Sequence, residues 1–183
     1  MSTLNGRDKT ALLVIDVQND VAAGAYNREG VIANINLAVA KARAAEVAVI
    51  WVQHSDDEMP IGTEAWQIVS ELEPASGEPL VRKTFKSSFE ATDLEGILSG
   101  LGVSHVVVTG MQTNNCIRHT THAALERGYD VTLVSDAHTT TGYEWAGHKI
   151  DASEVVNEAN DNFGAYTLPG RGSRTVAAAN LSF

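Results

Sequence analysis

The chain has one cysteine in 183 residues, so it forms no internal disulfide, and a lone thiol suits a reducing compartment. Its first ten residues, MSTLNGRDKT, are polar and lack the apolar core of a secretory leader. No apolar run approaches the length of a membrane span. These absences lead to the expectation of a cytoplasmic protein without membrane contact. Basic residues are also few: 13 Lys and Arg against 23 Asp and Glu give a formal charge of −10, and they form no cluster, which opposes a nucleic-acid partner. There is no internal repeat, low-complexity tract or linker. With 44% hydrophobic residues, the chain reads as one domain, 1–183, with a substantial core.

What is present alternates between strand and helix. Residues 10–15 form a continuous apolar run closed by Asp16, as expected of a strand buried on both faces. Val31, Ile35, Val39 and Ala42 recur at helical spacing over residues 28–46, with Asn27 as a possible N-cap, and a second buried strand covers 47–52. Residues 54–78 are polar and read as an insertion over the sheet, with a short helix at 64–72. A short strand at 80–82 ends at Lys83, and Thr92 is placed to cap a helix over 93–101. Strand 104–109 leads through Gly110 into a helix that runs from about 113 to 127, where Gly128 stops it. Strand 131–134, a long loop at 137–150, a helix at 153–163 and a last strand at 175–179 complete the chain.

This alternation predicts an α/β fold: a doubly wound, Rossmann-like three-layer sandwich on a mostly parallel six-stranded sheet of order 3-2-1-4-5-6. In that order a crevice opens between strands one and four, at their carboxyl ends. Asp16, Lys83 and Cys116 all lie at carboxyl ends of strands or just beyond. Together they supply a base, a cation and a nucleophile. Cys116 follows a strand-to-helix turn, where free N–H groups and the helix dipole favour a thiolate. Alone, each has an ordinary reading: a buried small hydrophobe, a turn-capping aspartate, a solvated lysine. His119, one turn past Cys116, is a competing base.

The motifs resemble those of the isochorismatase-like cysteine hydrolases, which include nicotinamidases and N-carbamoylsarcosine amidase. The similarity covers nearly the whole chain: Asp16-Val17-Gln18 is similar to the first motif; Lys83 with Ser87, Phe89, Thr92 and Leu94 to the second; Gly110, Thr113 and Cys116 to the third. The resemblance implies an Asp16–Lys83–Cys116 triad, a cis peptide at Met111–Gln112 and an oxyanion hole from the backbone N–H groups of Gln112 and Cys116. It further implies hydrolysis of a small-molecule amide C–N bond through a thioester. The alternatives are vinyl-ether hydrolysis of the isochorismatase type, a non-catalytic member of the fold, or a thiol sensor, the last weakened by the lack of a resolving cysteine. Nicotinamidases hold a metal with one aspartate and two histidines, whereas here only His54 with Asp56 and Asp57 stands before Lys83, so no metal is expected.

Gln18, His54, Trp66, Met111, Tyr143 and Trp145 are the possible substrate-binding residues. No cofactor is expected. The expected partners are a small-molecule substrate and further copies of the chain, as a homodimer or higher homo-oligomer.

Overall fold

The structure is a computed structural model that describes residues 2–183; Met1, part of the polar N-terminal stretch, lies outside them. In chain order the elements are β1 (Lys9–Ile15), the single turn α1 (Asn19–Ala22), α2 (Arg28–Ala44), β2 (Ala48–His54), β3 (Leu80–Lys83), α3 (Leu94–Gly100) and β4 (Val103–Met111). A π-helical turn over Thr113–Ile117 then leads into α4 (Arg118–Glu126), followed by β5 (Asp130–Thr139), β6 (Tyr143–Trp145), β7 (His148–Ile150), α5 (Ala152–Gly164), β8 (Thr167–Leu168) and β9 (Arg171–Val176).

The main sheet has the order β3-β2-β1-β4-β5-β9-β8, parallel throughout except for β8 against β9. The doubly wound order is as expected for its first six strands. The count is seven, because Pro169-Gly170 closes a tight turn, with Gly170 at φ 75, and folds β8 back as an antiparallel edge. That turn also starts β9 at Arg171, ahead of the expected 175.

Alternation along the central strands divides the core. Leu12, Val14 and Val107 pack with Val31, Ile35 and Val39 of α2 on one face, while Leu13, Ile15, Val106 and Val108 pack with Leu94, Leu98, Ala124 and Phe163 on the other. Burial on both faces is why these strands read as unbroken apolar runs.

Two expectations for the connections are corrected. Residues 64–72 form no helix, because residues 17–20 engage their backbone instead: Asn19 N–H donates to Gln67 O at 2.9 Å, Asp20 N–H to Ala65 O at 3.1 Å, and Val69 N–H to Val17 O at 3.1 Å. Groups used in this way are unavailable to an i→i+4 ladder. The loop at 137–150 is largely strand. β5 continues to Thr139, and β6 and β7 form a separate hairpin whose Ala146-Gly147 turn has both φ positive, at 51° and 78°.

Candidate active site

The site is built where β1 and β4 come closest. Ile15 is in register with Gly110, and a β-carbon on Gly110 would stand 2.0 Å from the Ile15 carbonyl oxygen. Gly110 itself has φ 119. Asp16 follows at once in the left-handed region, φ 52, with its N–H donating to Val52 O at 2.9 Å, so the carboxyl turns into the crevice beyond the strand ends. Strained backbone of this kind concentrates at functional positions.

Lys83, at the end of β3, reaches past the end of β2. Its side chain is fully buried, and Nζ lies 2.7 Å from Asp16 Oδ2, 3.2 Å from Cys116 Sγ and 3.3 Å from His54 Nδ1. An ammonium has three N–H donors, and here it meets three acceptors. That match makes His54 Nδ1 an acceptor, so its Nε2–H is the donor to Asp56 Oδ2 at 3.1 Å. Among the described residues, no side chain or backbone group apart from the Lys83 ammonium and the Cys116 thiol donates to the buried Asp16 carboxylate, which keeps acceptor capacity at Oδ1.

Burial sets the ionisation of the pair. The Asp16 carboxyl is pushed above the usual carboxylate range by desolvation, with the Lys83 ammonium pulling the other way. The Cys116 thiol is pushed up to about 12, first by burial and then by the negative charge of Asp16, against the opposing pull of Lys83. This corrects the expected thiolate. Cys116 lies inside the π-helical turn, one residue after a kink at Asn115 and before α4 begins, and what the turn's N–H groups offer the anion is outweighed by lost water and a neighbouring carboxylate. At rest Cys116 is a thiol beside the Asp16 carboxyl.

The turn is braced from behind. Thr113 Oγ1 donates to His138 Nδ1 at 2.9 Å, His138 Nε2 donates to Asn160 Oδ1 at 3.1 Å, and Asn160 Nδ2 donates to Ser135 O at 2.9 Å. Burial pushes His138 down to about 4, so its ring is neutral and serves as donor on one side and acceptor on the other. The sequence reading missed His138 and Asn160. A register shift in the β4–β5 pairing carries β5 on until His138 stands opposite Gly110, an extension that the polar residues 135–139 conceal.

The crevice, about 520 Å³, is lined by Asp16, His54, Gln112, Asn115 and Cys116 at its floor. Of the expected substrate contacts, His54 faces it. Gln18 is fully buried, its amide spent on His54 O at 3.0 Å, Trp66 O at 2.8 Å and His54 N–H at 2.8 Å. Trp66 is buried under the Arg82 guanidinium, and Met111 packs in the core against α2. Tyr143 and Trp145 stand out on the β6–β7 hairpin, where Tyr143 faces Arg118 and Glu158 rather than Cys116. None of these five lines the crevice: Gln18, Trp66 and Met111 are buried in packing, and Tyr143 and Trp145 lie on the surface. His119 is exposed, its Nδ1 donating to Asn115 O at 2.8 Å, and it does not line the crevice. The Met111–Gln112 peptide bond is cis. Among the described residues, no three His, Cys, Asp or Glu side chains converge as a metal set.

Residues 10–159 match the model of the isochorismatase domain. The chain belongs to the isochorismatase family. A secreted isochorismatase effector of Verticillium dahliae is 33% identical over 143 residues, which are 74% of this chain and 75% of that protein. An isochorismatase of Pseudomonas putida superposes with a TM-score of 0.84 at 24% identity, covering 96% of this chain and 92% of that one. N-carbamoylsarcosine amidase of Thermoplasma acidophilum superposes with a TM-score of 0.76 at 23% identity, covering 96% and 100%. At those identities the two structures speak for the fold. As a member of the isochorismatase family, the protein is a hydrolase. No helix among the described residues is long and apolar enough to cross a membrane.

Proposed function

We propose that this isochorismatase-family hydrolase cleaves the C–N bond of a small amide with Cys116 as nucleophile, Asp16 as general base and acid, and Lys83 as the cation that keeps Asp16 ionised. The observation that carries the reading is the buried triangle in which Lys83 Nζ lies 2.7 Å from Asp16 Oδ2 and 3.2 Å from Cys116 Sγ. Asp16 takes the thiol proton as sulfur attacks the amide carbonyl. The raised affinity of both groups for protons fits a transfer coupled to attack, because a free thiolate is costly here and Asp16 is a stronger base than an exposed carboxylate.

Charge then builds on the carbonyl oxygen, and the backbone N–H groups of Gln112 and Cys116, both at the crevice floor, are its stabilisers in this reading. The proton held by Asp16 passes to the departing nitrogen, leaving a thioester. Water, deprotonated by the same carboxylate, attacks the thioester and frees the acid, and the proton returns to Cys116.

A second reading, hydrolysis of a vinyl ether, is favoured by the relative described as an isochorismatase. One experiment separates them. Intact-protein mass spectrometry during turnover of small carboxamides, with ammonia release measured in parallel, should reveal an acyl adduct that Cys116→Ala lacks. Cleavage of isochorismate by both the parent chain and Cys116→Ala, with no adduct and no ammonia from any amide, would establish the ether reading instead.

A further inference from the structure

Beyond its floor, the crevice has a charged rim. Asp20 on α1, and Asp56 and Glu58 in the loop after β2, face it together with Lys86 after β3. Asp20, Glu58 and Lys86 form no ion pair or side-chain hydrogen bond among the described residues, so their charges are presented to whatever enters. Asp56 differs. It accepts from the Met59 and Glu58 N–H groups at 2.8 and 3.0 Å and from His54, and these bonds, the Met59 one foremost, hold it below the usual carboxylate range and therefore charged. At the floor, the Asp16 and Lys83 charges cancel within 2.7 Å. A substrate approaching the thiol thus meets three carboxylates against one ammonium, on a chain whose overall charge is −10.

The three acids are not gathered as a metal site, since no such set converges among the described residues. What points to an organic ligand is deeper in the same crevice: Asp16, 1% exposed, keeps unfilled acceptor capacity at Oδ1 beside the thiol. An acceptor at the floor suits an amide N–H, and a net negative rim suits a cation.

We infer that the substrate is a small amide bearing a cationic group, such as an ammonium or guanidinium, with Asp20 and Glu58 as the residues that select it over anionic amides and dicarboxylates. This rests on the amide-hydrolase reading above. The rim supplies selection by charge, raising the local concentration of cations and lowering that of anions. Low-dielectric walls strengthen the effect and salt weakens it. Isochorismate, a dicarboxylate, is the kind of molecule such a rim disfavours.

The test has two arms. In the first, Cys116, the only thiol, is modified by methanethiosulfonates that are neutral, cationic (trimethylammonioethyl) or anionic (sulfonatoethyl). Rates are followed by intact mass and divided by those of the urea-unfolded chain. The cationic reagent should react at least about tenfold faster than the anionic one, a ratio that 0.5 M NaCl compresses. Asp20→Asn combined with Glu58→Gln should bring it to within about threefold. In the second arm, ammonia release is measured from 4-aminobutanamide, 4-hydroxybutanamide and succinamate, with kcat/KM expected to fall in that order. Cleavage in which succinamate leads, or a reagent ratio at or below one, overturns the inference while leaving the amide-hydrolase reading intact. If no amide is cut although the reagent ratio holds, the amide-hydrolase reading falls and the substrate inference falls with it.

Discussion

Ile15 and Gly110 face each other in register with no room for a side chain between them, since a β-carbon on Gly110 would meet the Ile15 carbonyl oxygen at 2.0 Å. The neighbour is backbone and cannot swing aside. That contact sets how near Asp16, the residue after Ile15, lies to the turn that carries Cys116. Gly110→Ala should therefore cost on the order of 3 kcal/mol, from the overlap and from φ 119 together. Urea denaturation reads the loss; a variant as stable as the parent would show that the two strands part without penalty.

Asp16 and Lys83 are buried together, so removing either leaves the other as a lone charge in the core. Asp16→Asn and Lys83→Met should each lower stability by about 3–5 kcal/mol, whereas the double variant should recover most of that loss. Turnover behaves differently. Each single change should lower kcat severely and the double should be little worse, because the groups act as a unit. His119→Ala is the control: with its ring bonded to Asn115 O, it should leave single-turnover acylation within about threefold of the parent. A loss equal to that of Asp16→Asn would make His119 the base.

Burial and the Asp16 charge push the Cys116 thiol up to about 12, so its free thiolate is scarce at neutral pH. Alkylation by iodoacetamide, a small neutral reagent, should be at least about tenfold slower than that of free cysteine at pH 7.5 and should rise well above pH 9. Asp16→Asn should shift the rise to lower pH, since the negative charge that disfavours the thiolate is gone. Turnover should fall on the acid side as Asp16 takes up a proton, above the range of an exposed carboxylate. A fast, pH-independent alkylation between pH 6 and 8 would mean a resting thiolate.

His138 is held neutral, at about 4 against an ordinary 6.5. Because its folded value is depressed, the unfolded chain binds more protons as pH falls below 6.5, and stability drops between about 6.5 and 4. The difference corresponds to about 3 kcal/mol. His138→Asn, which keeps one acceptor and one donor, should flatten that part of the stability–pH profile. Urea denaturation at pH 7, 5.5 and 4.5 measures both proteins, and parallel profiles would assign the acid loss to other groups.

The strand order and the Asp16–Lys83–Cys116 grouping are legible because buried parallel strands are written as apolar runs: Asp16 directly follows one, Lys83 ends a short strand, and Cys116 lies in the turn after another. The rest was hidden for particular reasons. Gln18 sits in a motif and at a strand end, yet its amide closes hydrogen bonds to three backbone groups, information that lies in residues 54 and 66 rather than beside it. The helix expected around Trp66 failed because long-range backbone bonds outbid local ones. The turns at Ala146-Gly147 and Pro169-Gly170 were visible as dipeptides, but the long loop reading absorbed the first and the late start for the last strand passed over the second. The thiolate expectation considered the turn alone, without the water that burial removes. Cysteine scarcity and a polar N-terminus point to a cytoplasmic protein, whereas a relative in the same family is described as secreted.

Because the Asp16 and Lys83 charges cancel at 2.7 Å, they look electrically silent from outside, and an approaching molecule senses only the rim. Recognition and chemistry are thereby insulated from each other. Rim residues such as Asp20 and Glu58 are free to change sign under selection or by design without re-tuning the proton transfer beneath them. On the proposed mechanism, the same floor can thus be inherited intact while the substrates it serves diverge.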